Sequence, residues 1–297
     1  MDKIFVTGAN GFLGENIINY FSKNYEIVAY SRHPVSLIKC TWVQGDILDK
    51  EKLINSMKGC KIVIHLAAIT SYNEINESPL VVFDNYINGT INILEAMRST
   101  KANTLIYPSS GKVYGFLNKL PYKETDYAHP SNLMGKMKLE VENIISLYSK
   151  IIDDNIKFVV FRIFNAYGKG QSEKFLIPKI INHINKSEIE LGRIDIKRDY
   201  IHIEDILSAI KIVIDKAPGG YNVYNLGSGV PVSVEEIIEK ICNIRCCNIN
   251  VIRDISQIRN DERDIEYSDI SKLSSLGWRP KIGLDSGLRK LLLETNE

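Results

Sequence analysis

Short runs of apolar, largely β-branched residues recur along the first half of the chain. They cover residues 4–7, 27–30, 41–43, 62–66, 105–109 and 158–161. Amphipathic segments with helical periodicity lie between most of them, at residues 16–23, 80–98 and 136–150. Strands this apolar are expected to be buried on both sides. The alternation therefore predicts an α/β fold, with a doubly wound parallel sheet and helices on both of its faces.

The rhythm changes after about residue 165. A loop at 168–172 precedes a helical pattern near 175–185, and further helices are predicted at 206–216, 234–242 and 284–294. We predict a first domain of residues 1–165, to which about 198–226 return. Residues 166–197 and 227–297 then form a smaller C-terminal α/β lobe. Because no Pro- or Gly-rich linker separates the two, a cleft between them is the expected ligand site.

Three glycines follow the first predicted strand directly. Gly8, Gly11 and Gly14 are spaced by three, and a helix is predicted to begin among them. This spacing suits a tight turn, a close approach of the backbone to a pyrophosphate and close packing of the helix on the sheet. The loop indicates a dinucleotide-binding domain of the Rossmann type, with Asn10, Phe12 and Leu13 beside the phosphates.

Selection between NAD and NADP depends on the end of the second strand. An acidic residue there would hold the ribose hydroxyls, whereas Ser31 and Arg32 occupy the position and would tolerate a 2′-phosphate. The residues alone leave both cofactors open. Asp46 follows the third strand, where its carboxylate can accept from the adenine amino group; the alternative is a solvated loop aspartate.

Composition narrows the class of partner. The chain has 297 residues, of which 44% are hydrophobic, and a formal net charge of +1. Nothing electrostatic indicates nucleic acid or an anionic membrane, so a small-molecule partner is expected. The five cysteines form no CxxC pair and lie near no histidine at metal-ligand spacing. We expect reduced thiols, no metal site, no membrane span and a soluble cytoplasmic protein.

Several ordered motifs carry a family resemblance that covers nearly the whole chain. They are TGANGFLG at 7–14, Gly45-Asp46, HLAA at 65–68, SSGKVYG at 109–115, RDYIH at 198–202 and LGWRP at 276–280. Together they resemble the extended short-chain dehydrogenases/reductases of the nucleotide-sugar epimerase and dehydratase group. The resemblance implies that Ile47, Leu66, Ala67 and Ala68 also border the cofactor.

The resemblance also implies a set of catalytic residues, with one departure. The family uses a Ser or Thr that binds the sugar hydroxyl, here Ser110, and a Tyr followed four residues later by a Lys that holds the nicotinamide ribose. In this chain the Lys is Lys138, but Met134 replaces the Tyr. The two share one helix face, so Met134 is expected to point at the nicotinamide.

Methionine has no ionisable proton, so another group must accept the proton of the substrate. The candidates are Lys138, Lys112 and water. Burial beside a positively charged nicotinamide would lower the pKa of Lys138 towards working pH. Lys112 resembles a lysine of the inverting dehydratases in this family, which also carry Met for Tyr. Its alternative is a solvated loop lysine.

The nucleotide-sugar contacts come from the same resemblance. Asn165 matches an asparagine near the substrate pyrophosphate, while Arg198 and one of Arg259 or Arg263 match phosphate-binding arginines. For Arg198 the alternative is a structural ion pair with Asp199 or Glu204. Residues 175–178 are expected to line the nucleoside pocket.

Members of the family begin by oxidising a sugar hydroxyl, usually at carbon 4, with hydride passing to the nicotinamide. Gly111 stands where dehydratases carry an Asp, which argues against elimination, although Lys112 keeps it open. The Met134 exchange makes the return protonation of an epimerase harder. Oxidation that ends at the ketone is therefore favoured over both. A cofactor-bound binding protein without catalysis is the competing hypothesis, against which Ser110 and Lys138 speak.

The Met134 exchange, the short loop at 168–172 and the Ile-, Lys- and Asn-rich composition resemble one branch of the family. That branch oxidises GDP-heptose at carbon 4 in bacterial capsule biosynthesis. The resemblance favours NAD as the cofactor, a GDP-sugar as the substrate, and a homodimer built through helices 80–98 and 136–150.

Overall fold

The computed structural model describes residues 1–34, 39–69, 77–116, 119–152, 155–186, 188–258 and 263–294. These residues form two compact units, which are described separately. The first comprises Met1–Leu117, Tyr127–Ile163 and Ala209–Tyr224, and the second Asn118–Asp126, Phe164–Ser208 and Asn225–Glu297.

The units differ from the predicted division mainly in two segments, and by two residues each at 164–165 and 225–226. Residues 118–126 and 198–208, assigned above to the first domain, group with the second unit. The backbone of Tyr122 exchanges hydrogen bonds with Tyr267 and Asp269. Residues 197–202 form the strand at the centre of the second unit's main sheet. The cofactor and sugar roles of the two units stay predictions.

A seven-stranded sheet organises the first unit. The strands of the chain are β1 Lys3–Thr7, β2 Glu26–Ser31, β3 Thr41–Gln44, β4 Ile62–His65, β5 Thr104–Ser110, β6 Lys157–Ile163, β7 Asn165–Tyr167, β8 Glu188–Leu191, β9 Lys197–His202, β10 Gly220–Leu226, β11 Pro231–Ser233, β12 Asn250–Arg253 and β13 Ile265–Glu266. The sheet order is β10-β6-β5-β4-β1-β2-β3, and the pairings from β3 through β6 are parallel. This is the Rossmann strand order with a seventh strand added, which confirms the predicted fold class.

The helices are α1 Phe12–Phe21, α2 Lys50–Met57, α3 Pro79–Phe83, α4 Gly89–Thr100, α5 Leu133–Ile151, α6 Leu176–His183, α7 Ile203–Lys216, α8 Val234–Arg245, α9 Ser271–Ser275 and α10 Leu284–Glu294. The helix predicted over 80–98 is present as one continuous helical run, in which a π-helical turn at Asp84–Asn88 joins α3 to α4. A π turn widens the helix locally, which a search for 3.6-residue periodicity does not register.

Successive residues of the central strands are buried because both faces of the sheet are covered. Phe5 packs into a cluster that includes Leu53 of α2, Leu94 of α4 and Ile145 of α5. Its neighbour Ile4 on the opposite face is fully buried too. Each such side chain contributes roughly 1.5–3 kcal/mol of hydrophobic stabilisation. The end of β1, from which the glycine loop starts, is therefore held by a well-packed core.

The second unit has its own core. Strand β9 pairs with β7 and β13 in parallel and with β11 antiparallel, while β8 and β12 form a separate parallel pair. Buried apolar side chains of α6, α8 and α10 form this core, among them Ile180, Ile237 and Leu288. In the described residues, no helix is long and apolar enough to cross a membrane, and no group of three or more His, Cys, Asp or Glu side chains is placed to hold a metal ion. All five cysteines are free thiols.

Candidate active site

The glycine loop has the geometry that its spacing predicts. Gly8 adopts a left-handed conformation with φ of +62°, and a Cβ there would lie 2.7 Å from the amide nitrogen of Ala67. A Cβ on Gly14 would lie 2.5 Å from the carbonyl oxygen of Gly8. Gly11 caps α1 without a side-chain hydrogen bond, so no capping side chain competes with an anion for the first helical amides. Asn10 is exposed, while Phe12 and Leu13 are half-buried. The loop therefore fits a dinucleotide pyrophosphate.

A buried polar chain joins the glycine loop to the turn after β4. The hydroxyl of Thr7 accepts hydrogen bonds from the amides of Leu66 and Ala67, both at 3.1 Å. It also lies 2.8 Å from Nδ1 of His65, whose Nε2 lies 3.2 Å from the hydroxyl of Thr90. Burial lowers the pKa of His65 to about 3, with a smaller contribution from the charge of Lys138. The imidazole is therefore neutral, and the backbone of Leu66 and Ala67 is fixed beside Gly8.

The end of β2 carries the two residues predicted at the ribose. Ser31 is buried, and its hydroxyl donates to the carbonyl oxygen of His33 and accepts from Nε1 of Trp42 at 3.1 Å. Arg32 is exposed, and its carbonyl oxygen accepts from the side chain of Gln44. The Ser31 hydroxyl is thus oriented by Trp42 on the neighbouring strand β3, a contact that the sequence did not indicate.

Asp46 and Ile47 lie in the turn after β3. One carboxylate oxygen of Asp46 accepts from the amide of Leu48 at 3.0 Å, which orients the side chain in a local turn. The hydroxyl of Tyr30 donates to the Asp46 carbonyl oxygen at 2.9 Å. Ile47 is buried against Gly89, where a Cβ would lie 2.4 Å from its Cδ1 atom. The adenine contact of Asp46 stays a prediction.

Ser110 and Lys112 lie on a short 3-10 turn that packs on the start of α5. Ser110 caps the turn Gly111–Tyr114, its hydroxyl accepting from the amide of Lys112 at 3.2 Å. A Cβ on Gly135 would lie 2.7 Å from the carbonyl oxygen of Lys112. The structure therefore brings the Ser110–Lys112 turn against the first helical turn, where Met134 packs on the apolar core.

Lys138 lies one turn further along α5 and is buried. Its Nζ atom donates to the carbonyl oxygen of Pro108 at 2.7 Å and lies 4.7 Å from the centre of the Tyr107 ring and 5.3 Å from that of Tyr86. Burial lowers the pKa of Lys138 to about 7, opposed by the negative charge of Glu142. An amine with this pKa exchanges its proton near neutral pH, which suits a general base.

In the second unit, the predicted phosphate ligands lie among polar groups. Arg198 pairs through Nε with Glu266 at 3.3 Å, so the ion pair considered above with Asp199 or Glu204 is replaced by a different acidic partner. Arg263 donates from Nη1 to the hydroxyl of Tyr122 at 2.8 Å. The side-chain amide of Asn165 donates to the carbonyl oxygen of Asp199 at 3.1 Å, and Arg259 lies outside the described residues.

Two comparisons place the chain among known proteins. A profile of the NAD dependent epimerase/dehydratase family matches residues 4–227. The chain belongs to this family. Two relatives align with almost all of this chain. A GDP-6-deoxy-D-mannose reductase of Pseudomonas aeruginosa is 28% identical over 98% of this chain and 96% of its own length. A UDP-glucose 4-epimerase of Lactobacillus helveticus is 28% identical over 94% of this chain and 92% of its own length.

Solved structures agree with the fold. MoeE5 in complex with UDP-glucuronic acid and NAD superposes with a TM-score of 0.90 at 23% identity, covering 99% of each chain. The family description names NAD, the cofactor predicted above. The family membership confirms the coarser part of the resemblance stated from the motifs.

Several residues of this site were missed in the sequence. The sequence motifs assign no role to Thr7, Thr90, Glu142 or Arg162, and they include His65 only as the first residue of HLAA. One signal was available for Glu142: it follows Lys138 by four residues and lies next to Val141, in the apolar stripe of the helix. A carboxylate in such a stripe is buried only when it is paired.

Proposed function

We propose that this protein oxidises a nucleotide-activated sugar at carbon 4 to the 4-keto sugar, with NAD as hydride acceptor. The observation that carries the proposal is the start of α5. Met134, which cannot exchange a proton, is followed one turn later by Lys138, whose pKa of about 7 suits proton transfer. Oxidation of an alcohol requires removal of one hydride and one proton, and the amine takes the part that the side chain at 134 cannot.

The chain's own residues divide the work as follows. The amides at the start of α1 and the loop glycines bind the pyrophosphate of NAD, which supplies the hydride acceptor when bound. Ser110 holds the sugar hydroxyl through its own hydroxyl group. The neutral amine of Lys138, or that of Lys112 on the adjoining turn, accepts the hydroxyl proton as the carbonyl forms. Asn165, Arg198 and Arg263 hold the sugar nucleotide through its phosphates.

A GDP-activated manno-heptose of capsule biosynthesis is the substrate that we favour. Its support is the resemblance given above, together with the likeness over 98% of the chain to a reductase named for a GDP-activated deoxymannose. The related UDP-glucose 4-epimerase favours a second candidate, epimerisation at carbon 4. A 4,6-dehydratase is the third. Both need further proton transfers to the sugar, for which Met134 supplies no group.

One experiment separates these activities. Purified protein is mixed with NAD and a panel of GDP-, UDP- and CDP-sugars, each deuterated at carbon 4, and absorbance of reduced nicotinamide is followed with product mass. We expect stoichiometric reduction of NAD, transfer of deuterium to the nicotinamide and a product lighter than the labelled substrate by one deuterium and one hydrogen. A product of unchanged mass with inverted carbon 4 would indicate an epimerase, and one lighter by a water a dehydratase. No reaction with any sugar would overturn the proposal in favour of a binding protein.

We also propose that two copies of the chain associate through the helical run of α3 and α4 and through α5, which correspond to the predicted helices 80–98 and 136–150. Leu80 of α3 is 80% exposed, and Leu147 and Ile151 of α5 are 59% and 69% exposed. The side chains of Glu95 on α4 and Tyr148 on α5 contact each other, so these two helices lie side by side, and α3 continues into α4 through the π turn Asp84–Asn88. Apolar side chains of this size on neighbouring helices suit a helical interface.

A further inference from the structure

A buried ion pair lies behind the candidate catalytic residues. Glu142 of α5 and Arg162 of β6 are 2% and 6% exposed, and Nη2 of Arg162 lies 2.8 Å from Oε2 of Glu142. The Nε atom of Arg162 donates to the same carboxylate, at 3.2 Å. Burying two charges this deeply costs desolvation free energy, which is offset only if the ion pair is well aligned and makes further hydrogen bonds.

The carboxylate of Glu142 reaches the strand that carries Ser110. The hydroxyl of Ser109, the residue immediately before Ser110, donates to Oε1 of Glu142. Ser109 pairs directly with Arg162 across β5 and β6. The carboxylate of Glu142 thus contacts both members of this pair, Ser109 at the end of β5 and Arg162 on β6.

Arg162 extends this contact to the turn that carries Lys112. Its guanidinium carbon lies 4.8 Å from the centre of the Tyr114 ring, and Tyr114 ends the 3-10 turn Gly111–Tyr114. On the helix side, Glu142 follows Lys138 by one turn of α5, and its charge acts on the Lys138 amine. Three segments therefore meet at the pair: the end of β5, the 3-10 turn and α5.

We propose that Glu142 and Arg162 are positioning residues, whose ion pair holds Ser110, Lys112 and Lys138 in one arrangement for proton transfer. The proposal deepens the proposed function and rests on it for the roles of those three residues. The pair itself touches no reacting atom in this scheme. Its effect is on the orientation of the three side chains and on the charge that Lys138 experiences.

The charged and titratable groups facing Lys138 are Glu142 on its own helix, Tyr107 of β5, Tyr86 of the π turn and His65 of β4. Tyr86 and Tyr107 keep their protons, because burial raises the pKa of each phenol. His65 is neutral for the reason given above. Glu142 is therefore the group whose removal changes the charge at Lys138.

The test uses Glu142→Gln, which keeps an oxygen to accept from Ser109 but removes the charge. This variant leaves Arg162 buried without its partner charge, which can destabilise the fold. The double variant Glu142→Gln with Arg162→Met removes both charges and is therefore expected to fold. Glu140→Gln is the matched control, since Glu140 is exposed on the same helix and its carboxylate accepts a hydrogen bond from Asn143, three residues along the helix. Thermal unfolding confirms that each variant is folded.

Two readouts are followed. With NAD and the sugar nucleotide, we expect kcat to fall by about tenfold or more in the Glu142→Gln and double variants, while the Kd for NAD changes less than about threefold. In protein labelled with ¹³C at lysine Cε, we expect the titration midpoint of Lys138 to move to lower pH in both variants. Glu140→Gln should match the wild type in each.

A folded double variant with wild-type kcat and an unchanged Lys138 titration would overturn the inference. The lysine titration needs no substrate, so it decides the electrostatic part even if no sugar is turned over. A wild type that turns over no sugar nucleotide contradicts the proposed function; wild-type kcat in the folded double variant of an active enzyme contradicts the positioning role.

Discussion

Thr7 and His65 are directly paired across the parallel strands β1 and β4, with the Thr7 hydroxyl oxygen 2.8 Å from Nδ1 of His65. Because that oxygen already accepts from the amides of Leu66 and Ala67, its single proton is the one available for Nδ1. His65 therefore carries its proton on Nε2 and donates it towards Thr90. The two side chains fix the turn against which Gly8 packs.

Removing the Thr7 hydroxyl is expected to weaken cofactor binding. In Thr7→Val the amides of Leu66 and Ala67 lose their acceptor, which should destabilise the fold by about 1–3 kcal/mol. We expect the Kd for NAD to rise about tenfold, or about 1.4 kcal/mol. Thr7→Ser keeps the hydroxyl and should behave as wild type. Calorimetric titration with NAD measures the effect, and equal affinities in Thr7→Val and Thr7→Ser would contradict it.

Acid should destabilise the protein through His65. Its pKa is about 3 in the folded chain, against an ordinary value of 6.5. Below pH 6.5 the unfolded state binds a proton that the folded state does not, so the free energy of unfolding falls as pH decreases from 6.5 towards 3 and is unaffected above that window.

The measurement is urea unfolding at pH 7 and pH 4.5. We expect His65→Asn, whose side-chain oxygen can replace Nδ1 as acceptor, to lose about 2–3 kcal/mol less than wild type between the two pH values. His33→Asn is the control, because His33 is exposed. If the two variants lose equal stability, His65 is not the group responsible.

Thr7 and His65 show which part of the fold can be predicted from the sequence and which part cannot. All six strands expected from the apolar runs of the first domain are present, and α10 has the predicted bounds of 284–294. Hydrophobic periodicity predicts where each strand lies in the sequence but not which strands are neighbours. Thr7 and His65 come together because β4 lies beside β1 in the sheet. The same holds for Arg198 and Glu266, which pair across β9 and β13. Sequence spacing contains no such register.

The pH dependence of turnover should report on Lys138. If its neutral amine is the base, kcat rises with pH through an apparent pKa near the value of about 7 and is constant above it. Lys138→Met should reduce kcat by about 100-fold or more. Stopped-flow absorbance of reduced nicotinamide between pH 5.5 and 9 measures the profile. A Lys112→Met variant that removes the rising limb, with Lys138→Met retaining it, would assign the base to Lys112.

Met134 should be replaceable by another apolar side chain. Since thioether and isobutyl groups have similar volume, Met134→Leu is expected to keep kcat within about threefold of wild type. Met137→Leu, three residues further along α5 and also packed on the core, is the matched control. Steady-state kinetics of both variants test this, and a large loss confined to Met134→Leu would mean that the sulfur itself contributes to the reaction.

The proposed association of two chains depends on apolar side chains that the first unit leaves exposed. Leu147 and Ile151 lie four residues apart on α5, so they share one face, and they are 59% and 69% exposed. Glutamate at either position would put like charges opposite each other across a two-fold axis and desolvate them, which disfavours the dimer.

We expect light scattering to give twice the chain mass of 33.7 kDa for wild type and the single chain mass for Leu147→Glu combined with Ile151→Glu. Leu293→Glu on α10 is the matched control, because Leu293 is 71% exposed but lies in the second unit. A wild type of single-chain mass, or a double variant that remains dimeric, would show that α5 forms no such interface.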